Sequence, residues 1–343
     1  MRFFCTFFDR NYLSRGLALY RSLQEHCPEF RLWVLCMDEA TYHYLTRLGL
    51  PGLEPIALKD FEEGDAPLLA AKQNRSRVEY YFTCTPSLPL YVFNHWLAVD
   101  LVTYLDADLY FFAGPEPLFE ELGSGSIAII GHRFPPDLRS LEEWGIYNVG
   151  WLSFRRDDHA LACLGWWRNK CIEWCHDRIE DGRFADQKYL DDWPARFRHV
   201  VVLGHRGANL APWNLNNYRL YSPDGKTVMV DDEPLIFFHF HRLTRITPWL
   251  YDPDWTTYRV APSTVLRRNI YLPYLRTLRD AGRLLPQTSG AVPPPAAGSI
   301  RREGSRVSLL RRAARRLRAL FAAGRDILAG RYIVCINSFR KAR

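Results

Sequence analysis

Three short apolar runs alternate with two stretches of helical spacing in the first 58 residues. RFFCTFF (2–8), FRLWVLCM (30–37) and EPIAL (54–58) are dense in apolar and aromatic residues and short enough for strands. Between them, NYLSRGLALYRSLQEH (11–26) sets Leu13, Leu17, Tyr20 and Leu23 on one helical face. EATYHYLTRLG (39–49) ends on a glycine, as a helix terminus often does. Strand and helix in alternation predict βαβ units, and apolar-dense strands predict a sheet buried on both faces. The expected class is α/β, a mixed and mostly parallel Rossmann-like sheet flanked by helices. Such sheets bind ligands beyond the carboxyl ends of their strands.

Two carboxylates stand at such a place. In LVTYLDADLYFF (101–112) an apolar run leads into Asp106 and another follows Asp108. On an extended chain, side chains two apart share a face, so both would point at one spot. Carboxylates that close in apolar surroundings raise a pKa or demand a counter-cation, and a divalent metal is one answer. The competing reading is a turn in which each bonds nearby amides. Asp9 follows the first strand in the same way.

Farther along, SIAIIGH and YNVGWLSF read as strands, and 158–177 and 184–193 as helices. KTVMVDDEPLIFFHFH (226–241) reads as a hairpin turning at DDEP, with His239 and His241 on one face of its second strand. PQTSGAVPPPAAGS (286–299) reads as a linker. Residues 301–343 then carry 13 Arg or Lys against Glu303 and Asp326, whereas the first 300 residues carry 32 basic against 36 acidic side chains. Leu310, Ala313, Ala314, Leu317 and Phe321 make a stripe with most arginines off it. That basic amphipathic pattern suits an anionic membrane surface, and a solvated surface helix is its plainer reading. The mildly acidic body offers nucleic acid no broad groove.

Eight cysteines lie scattered without a C-x-x-C pair, which fits free thiols in a reducing cytosol. Cys171, Cys175 and His176 are too few for a zinc site by themselves. MRFFCTFF runs straight into a strand pattern and does not read as a signal peptide, and no apolar run is long enough to cross a bilayer. The expected location is cytoplasmic, peripheral at the cytoplasmic face of a membrane.

DRNYLSRGLALYRSL (9–23), YLDADLYFF (104–112), YNVGWLSFR (147–155), DQKYLDDW (186–193), NLAPWNLNNY (209–218) and FFHFHRLTRITPW (237–249) occur in one order. Over residues 1–260 the chain thereby resembles the glycogenin-like retaining glycosyltransferases, a family with the GT-A fold. The resemblance implies a catalytic domain over 1–260, followed by a helical extension (261–285), the linker (286–300) and the basic tail (301–343). It implies a nucleotide-sugar donor, most simply a UDP-sugar, a hexose transferred to a glycan or lipid-linked acceptor, and a divalent cation neutralising the leaving diphosphate. Oxygen ligands suit Mn²⁺ or Mg²⁺, and one imidazole favours Mn²⁺.

Residue by residue, Asp106 and Asp108 match the metal carboxylates, with Asp106 also near the ribose. His239 matches the metal histidine, and His241 is its rival. Asp9, Asn11 and Tyr12 match the segment that holds base and ribose. Asn148 and Gly150 match an N-A-G segment beside the sugar, and Asp186 and Gln187 match a D-Q pair facing the reacting carbon. Local backbone bonding is the plainer role for Asn148. A helix N-cap is the plainer role for Asp186, and packing for Trp213 and Asn214.

Two family positions differ. Phe82 stands where an arginine usually follows the aromatic pair, and Arg77 and Lys72 are the candidates to supply that charge instead. Thr247 replaces a lysine before Pro248 and Trp249, leaving Arg245 as the nearest cation. Two other classes compete. A nucleotidyltransferase should carry a Gly-rich basic loop after its first strand, which FFDRNYLSRG lacks. A non-catalytic membrane adaptor would have little use for Asp106, Asp108, His239 and Gln187 together.

Overall fold

The computed structural model describes residues 1–284 and 331–335. The linker and most of the basic tail lie outside the described residues.

The alternation read from the sequence is present. Strand β1 (Arg2–Phe8), helix α1 (Leu13–His26), β2 (Phe30–Cys36), α2 (Glu39–Leu48) and β3 (Leu53–Ala57) build a parallel sheet edge. Asp38 caps α2 by accepting from the Thr41 amide, and Gly49 closes it in the left-handed conformation at φ 54°. Four short helices follow: α3 (Leu58–Glu62), α4 (Ala66–Gln73), α5 (Arg77–Cys84) and α6 (Ser87–His95). Ser76 and Glu79 make a reciprocal capping box at the start of α5. Then come β4 (Leu101–Leu105), β5 (Leu109–Phe111), α7 (Glu116–Leu122), β6 (Ile127–Gly131), β7 (Tyr147–Arg155), α8 (Asp158–Glu173), α9 (Trp193–Arg196) and β8 (Val200–Leu203).

The main sheet has seven strands in the order β3-β2-β1-β4-β7-β6-β8. Its pairs are parallel except those of β7, which runs against both neighbours. Alternation along the strands fills both faces. In β2, Leu32, Val34 and Cys36 enter one core with α1, α2 and α7, while Trp33 and Leu35 enter the other with α5, α6 and α8. Burial on both sides is why these strands read as continuous apolar runs.

The predicted hairpin at 226–241 is different in detail. β9 (Leu220–Tyr221), β10 (Met229–Val230) and β11 (Glu233–Pro234) form a small antiparallel sheet that stops at Pro234, which has no amide hydrogen to continue it. The following β12 (Phe237–His239) leaves this sheet and pairs antiparallel with β5. His239 ends that strand and His241 lies in the turn beyond it. The predicted helix over 184–193 is a 3₁₀ helix at Lys188–Asp192 running into α9.

β13 (Thr244–Thr247) and β14 (Leu250–Asp252) form a hairpin, and a π-helical turn at Leu266–Tyr271 leads into α10 (Leu272–Leu284). Tyr274 and Leu275 of α10 join Phe238 and Phe240 in a third apolar core. The chain returns at β15 (Ile333–Val334), which adds to β14 as the outer strand. Among the described residues no helix is long and apolar enough to cross a membrane.

Candidate active site

The reversed direction of β7 decides what meets at the sheet's working edge. The carboxyl ends of β1 and β4 deliver Asp9 and Asp106 there, and the amino end of β7 delivers Asn148 and Gly150 to the same edge. Asp106 donates its backbone amide to the Gly150 carbonyl at 3.1 Å. Asp106 to Asp108 form a turn, since the Leu109 amide returns to the Asp106 carbonyl at 3.2 Å. The backbone does turn here, but the carboxylates meet the Tyr104 hydroxyl and His239 and not the nearby amides that the turn reading expected.

Register then brings a third group to the two carboxylates. His239 pairs with Leu109 across β12 and β5, which sets its ring over Asp108. Its Nε2 lies 3.1 Å from Asp108 Oδ1 and 3.7 Å from Asp106 Oδ2. Ligand atoms of Asp106, Asp108 and His239 all fall within 4.8 Å of one another. Tyr104 donates its hydroxyl to Asp106 Oδ1 at 2.9 Å.

The electrostatics fit a site built for a cation. Burial and the neighbouring Asp108 raise Asp106 to about 6, although His239 opposes the rise. Burial would raise Asp108 as well, but His239 and Arg15 outweigh it and hold this carboxyl below the usual range. Burial lowers the affinity of His239 for a proton, and the two carboxylates more than restore it. The ring is oriented from behind: its Nδ1 faces the Asn148 Oδ1 at 3.2 Å. An amide oxygen only accepts, so Nδ1 keeps its hydrogen and Nε2 points at the carboxylates. A divalent ion would take the place of the Nε2 proton, and two carboxylates with one imidazole suit it.

Asn148 is the hub of this arrangement. Its Oδ1 also accepts from the Gly150 amide at 3.1 Å, and its Nδ2 reaches Gln187 Oε1 at 3.1 Å. A Cβ on Gly150 would stand 2.5 Å from Asn148 Oδ1 and 3.0 Å from His239 Nδ1, so glycine is required there. Gln187 donates its Nε2 to the Trp144 carbonyl at 3.1 Å, tying the site to the 3₁₀ segment Pro136–Trp144. His132, beyond the end of β6, lies against Asn148 Nδ2 at 3.3 Å, and burial lowers it to about 3.

Asp186 does not cap a helix. The 3₁₀ turn begins after Gln187 without a side-chain cap, and the Asp186 side chain is buried on the cleft wall. Burial raises it to about 7, with the Asp106 charge adding to the shift. Its backbone carbonyl accepts Trp167 Nε1 at 2.8 Å, fixing it against α8.

On the other side of the aspartates, Asp9 accepts from the Asn11 amide at 2.9 Å and side chain at 3.0 Å, and from the Tyr81 hydroxyl at 3.2 Å. Tyr12 stands at the N-terminus of α1, 37% exposed. Arg77 reaches Asp9 at 3.8 Å and lines the cleft. Lys72 is excluded as the alternative cation, because its amine is 2.6 Å from Glu62, which also takes the Tyr80 hydroxyl. Arg245 lines the cleft from β13, beside the Tyr251 hydroxyl.

Arg15 escaped the sequence reading. Its guanidinium lies 4.3 Å from the Tyr12 ring centre and donates to the Leu243 carbonyl at 2.5 Å, joining α1 to the segment after β12. On the sequence it looks like one more polar position of an amphipathic helix, and only the fold shows it turned into the cleft.

The remaining candidates resolve simply. His241 lines the cleft with its ring centre 6.0 Å from that of His239, but it is outside the converging cluster, and burial with the His239 charge lowers it to about 3. Trp213 is buried edge-on against His132 and His239, and Asn214 spends its amide on backbone, so both pack. Cys171 and Cys175 are buried free thiols, and His176 bonds Glu79 at 3.0 Å. Apart from Gly150, the site residues line one cleft of about 2860 Å³.

No family model matches the chain. It is 32% identical over 300 residues to the uncharacterized protein YfnD of Bacillus subtilis (strain 168), covering 87% of this chain and 94% of that protein. A second B. subtilis protein, YfnF, is 33% identical over 244 residues, covering 69% of this chain and 80% of its own length. Among solved structures, the galactosyltransferase LgtC, in complex with donor and acceptor sugar analogs, superimposes with a TM-score of 0.50 at 17% identity. That match covers 83% of this chain and 98% of LgtC and shows a shared fold. The chain belongs to the family of YfnD and YfnF, built on the GT-A fold.

Proposed function

We propose that this chain is a metal-dependent glycosyltransferase that moves a hexose from a nucleoside-diphosphate sugar, a UDP-sugar in the simplest case, to a hydroxyl of a glycan or lipid-linked acceptor. The observation that carries the reading is the meeting of Asp106, Asp108 and His239 within 4.8 Å, at the carboxyl edge of the sheet and on the floor of the cleft. Asp106, Asp108 and His239 would hold Mn²⁺ or Mg²⁺, which when bound supplies Lewis-acid neutralisation of the departing diphosphate. Asp9, Asn11 and Tyr12 would receive the nucleoside, a short polar and aromatic set suited to ribose and base.

A departing nucleoside diphosphate gains a negative charge as the glycosidic bond breaks, and fixed cations aimed at that charge lower the barrier. Arg15, Arg77 and Arg245 all line the cleft and would act in this way, in lieu of the arginine and lysine expected from the resemblance. Asn148 and Gln187 would bond sugar hydroxyls through their amides. Asp186, kept protonated by burial until about neutral pH, can donate as well as accept. Retention of configuration at the transferred sugar is carried over from the resemblance to the glycogenin-like enzymes. Attachment to an anionic membrane through residues 301–343 belongs to the same proposal and rests on their sequence pattern alone.

Melting temperature with UDP, GDP, CDP and dTDP, each with Mn²⁺ or EDTA, tests the reading. One nucleotide should raise it only with metal, by the equivalent of about 2.7 kcal/mol at a hundredfold excess over Kd. Asp108→Ala should abolish the rise. No metal-dependent rise with any nucleotide sinks the proposal.

A further inference from the structure

The chain has eleven tryptophans, and nine of them pack their indole against another aromatic ring. Trp144 and Trp249 are the two without a ring or cation partner among the described residues. They are also the two most exposed, at 39% and 48%, and both line the active-site cleft. A fold that spends its other indoles on packing leaves two flat apolar faces in water at the place where a substrate must enter. Exposed apolar surface gathered in a cleft marks a binding site.

The backbone beneath each ring is tied down. The Trp144 carbonyl accepts Gln187 Nε2 at 3.1 Å, and just beyond it the Ile146 amide donates to Asp191 at 2.7 Å. Lys188 anchors the same segment through the Glu142 carbonyl at 2.7 Å. Trp249 sits in the turn between β13 and β14; its amide donates to Thr247 Oγ1 at 3.3 Å, and its carbonyl accepts the Cys335 amide at 2.8 Å. A rigid backbone under an exposed indole lowers the ordering cost of whatever stacks on it.

We infer that Trp144 and Trp249 are acceptor subsites that each stack a pyranose ring, so that the acceptor is a carbohydrate engaged by its sugars. Trp144 is the nearer subsite, because one hydrogen bond joins it to Gln187 at the sugar end of the donor site. Trp249 is a second one, reached by an acceptor of more than one sugar. The cleft is several times larger than the roughly 300–1,000 Å³ typical of a small-molecule pocket and so leaves room beside a bound nucleotide-sugar. The assignment rests on the donor reading given above, since it takes its direction from Gln187.

The test uses the full chain with UDP and Mn²⁺ on an array of simple and oligomeric glycans, followed by calorimetry with the strongest binder. Trp144→Ala should weaken glycan binding about tenfold, Trp144→Phe should restore most of it, and Trp249→Ala should weaken only glycans of two or more sugars. Affinity for UDP with Mn²⁺ should stay unchanged in all three variants. Three results overturn the inference: no glycan bound by protein that does bind UDP with Mn²⁺, wild-type glycan affinity in Trp144→Ala, or loss of sedimentation with phosphatidylglycerol vesicles in the two alanine variants, which would assign the rings to a lipid surface. Failure to bind UDP with Mn²⁺ refutes the donor reading instead, and this inference with it.

Discussion

Replacing Asp186 with asparagine isolates the energetics of the one buried acid that has no basic partner among the described contacts. Its carboxyl is raised from the model-peptide value of 3.8 to about 7 by burial. A raised folded-state pKa means the native protein holds the proton more tightly than the unfolded chain does. The resulting stability is complete below pH 3.8 and is lost as pH climbs through 7. At about 1.36 kcal/mol per unit, ionising Asp186 costs the native state about 4 kcal/mol between pH 4 and pH 8. Asparagine has nearly the same shape and no charge, so the variant should escape that loss. Denaturant unfolding across pH 4 to 8 should show the two proteins close together at the acid end, with Asp186→Asn gaining progressively from about pH 4 and levelling off above about pH 7. Titrating groups remote from Asp186 affect both proteins alike and cancel in the difference, whereas Asp106, whose charge adds to the Asp186 shift, contributes a smaller part of the same gain. Parallel stability curves over the whole range would show that water or a counter-charge reaches Asp186 and that the burial argument is wrong.

Two further outcomes follow from the site's geometry. Gly150→Ala drives a methyl group onto Asn148 Oδ1 and His239 Nδ1, so Mn²⁺ affinity measured by calorimetry should fall at least about tenfold while far-ultraviolet circular dichroism stays native; unchanged affinity would mean that Asn148 does not orient His239. Arg15→Met keeps most of the packing and removes the charge, so Mn²⁺-dependent UDP affinity should drop about tenfold and uridine affinity hardly at all. Equal losses for UDP and uridine would reduce Arg15 to a prop for Tyr12.

Legibility followed sequence distance. The β1–α1–β2–α2–β3 succession could be read within about two residues because burial on both sheet faces imposes apolar density, and helices impose their own period. Asp106 and Asp108 were legible because two acids interrupted such a run. The DDEP hairpin was half right: the turn exists, but Pro234 ends its sheet and β12 finds a partner more than 120 residues earlier in the chain. Periodicity contains no information about that partner. Asp186 looked like a cap because Asp before a helical pattern usually is one, and only its burial reveals otherwise. The bond from Asn148 to His239 spans 91 residues, and Arg15 meets Leu243 across 228, so both depend on the finished fold.

The outer strand β15 decides how firmly one wall of the cleft is held. Ile333 and Val334 pair with Tyr251 and Leu250 of β14, and the Cys335 amide donates to the Trp249 carbonyl. Anything that pulls β15 away strips β14 of its outer partner and leaves its amides and carbonyls as an open edge, ready to pair with another strand. The same event would release the Trp249 carbonyl, so that a pull on the end of the described chain is felt directly at the cleft wall.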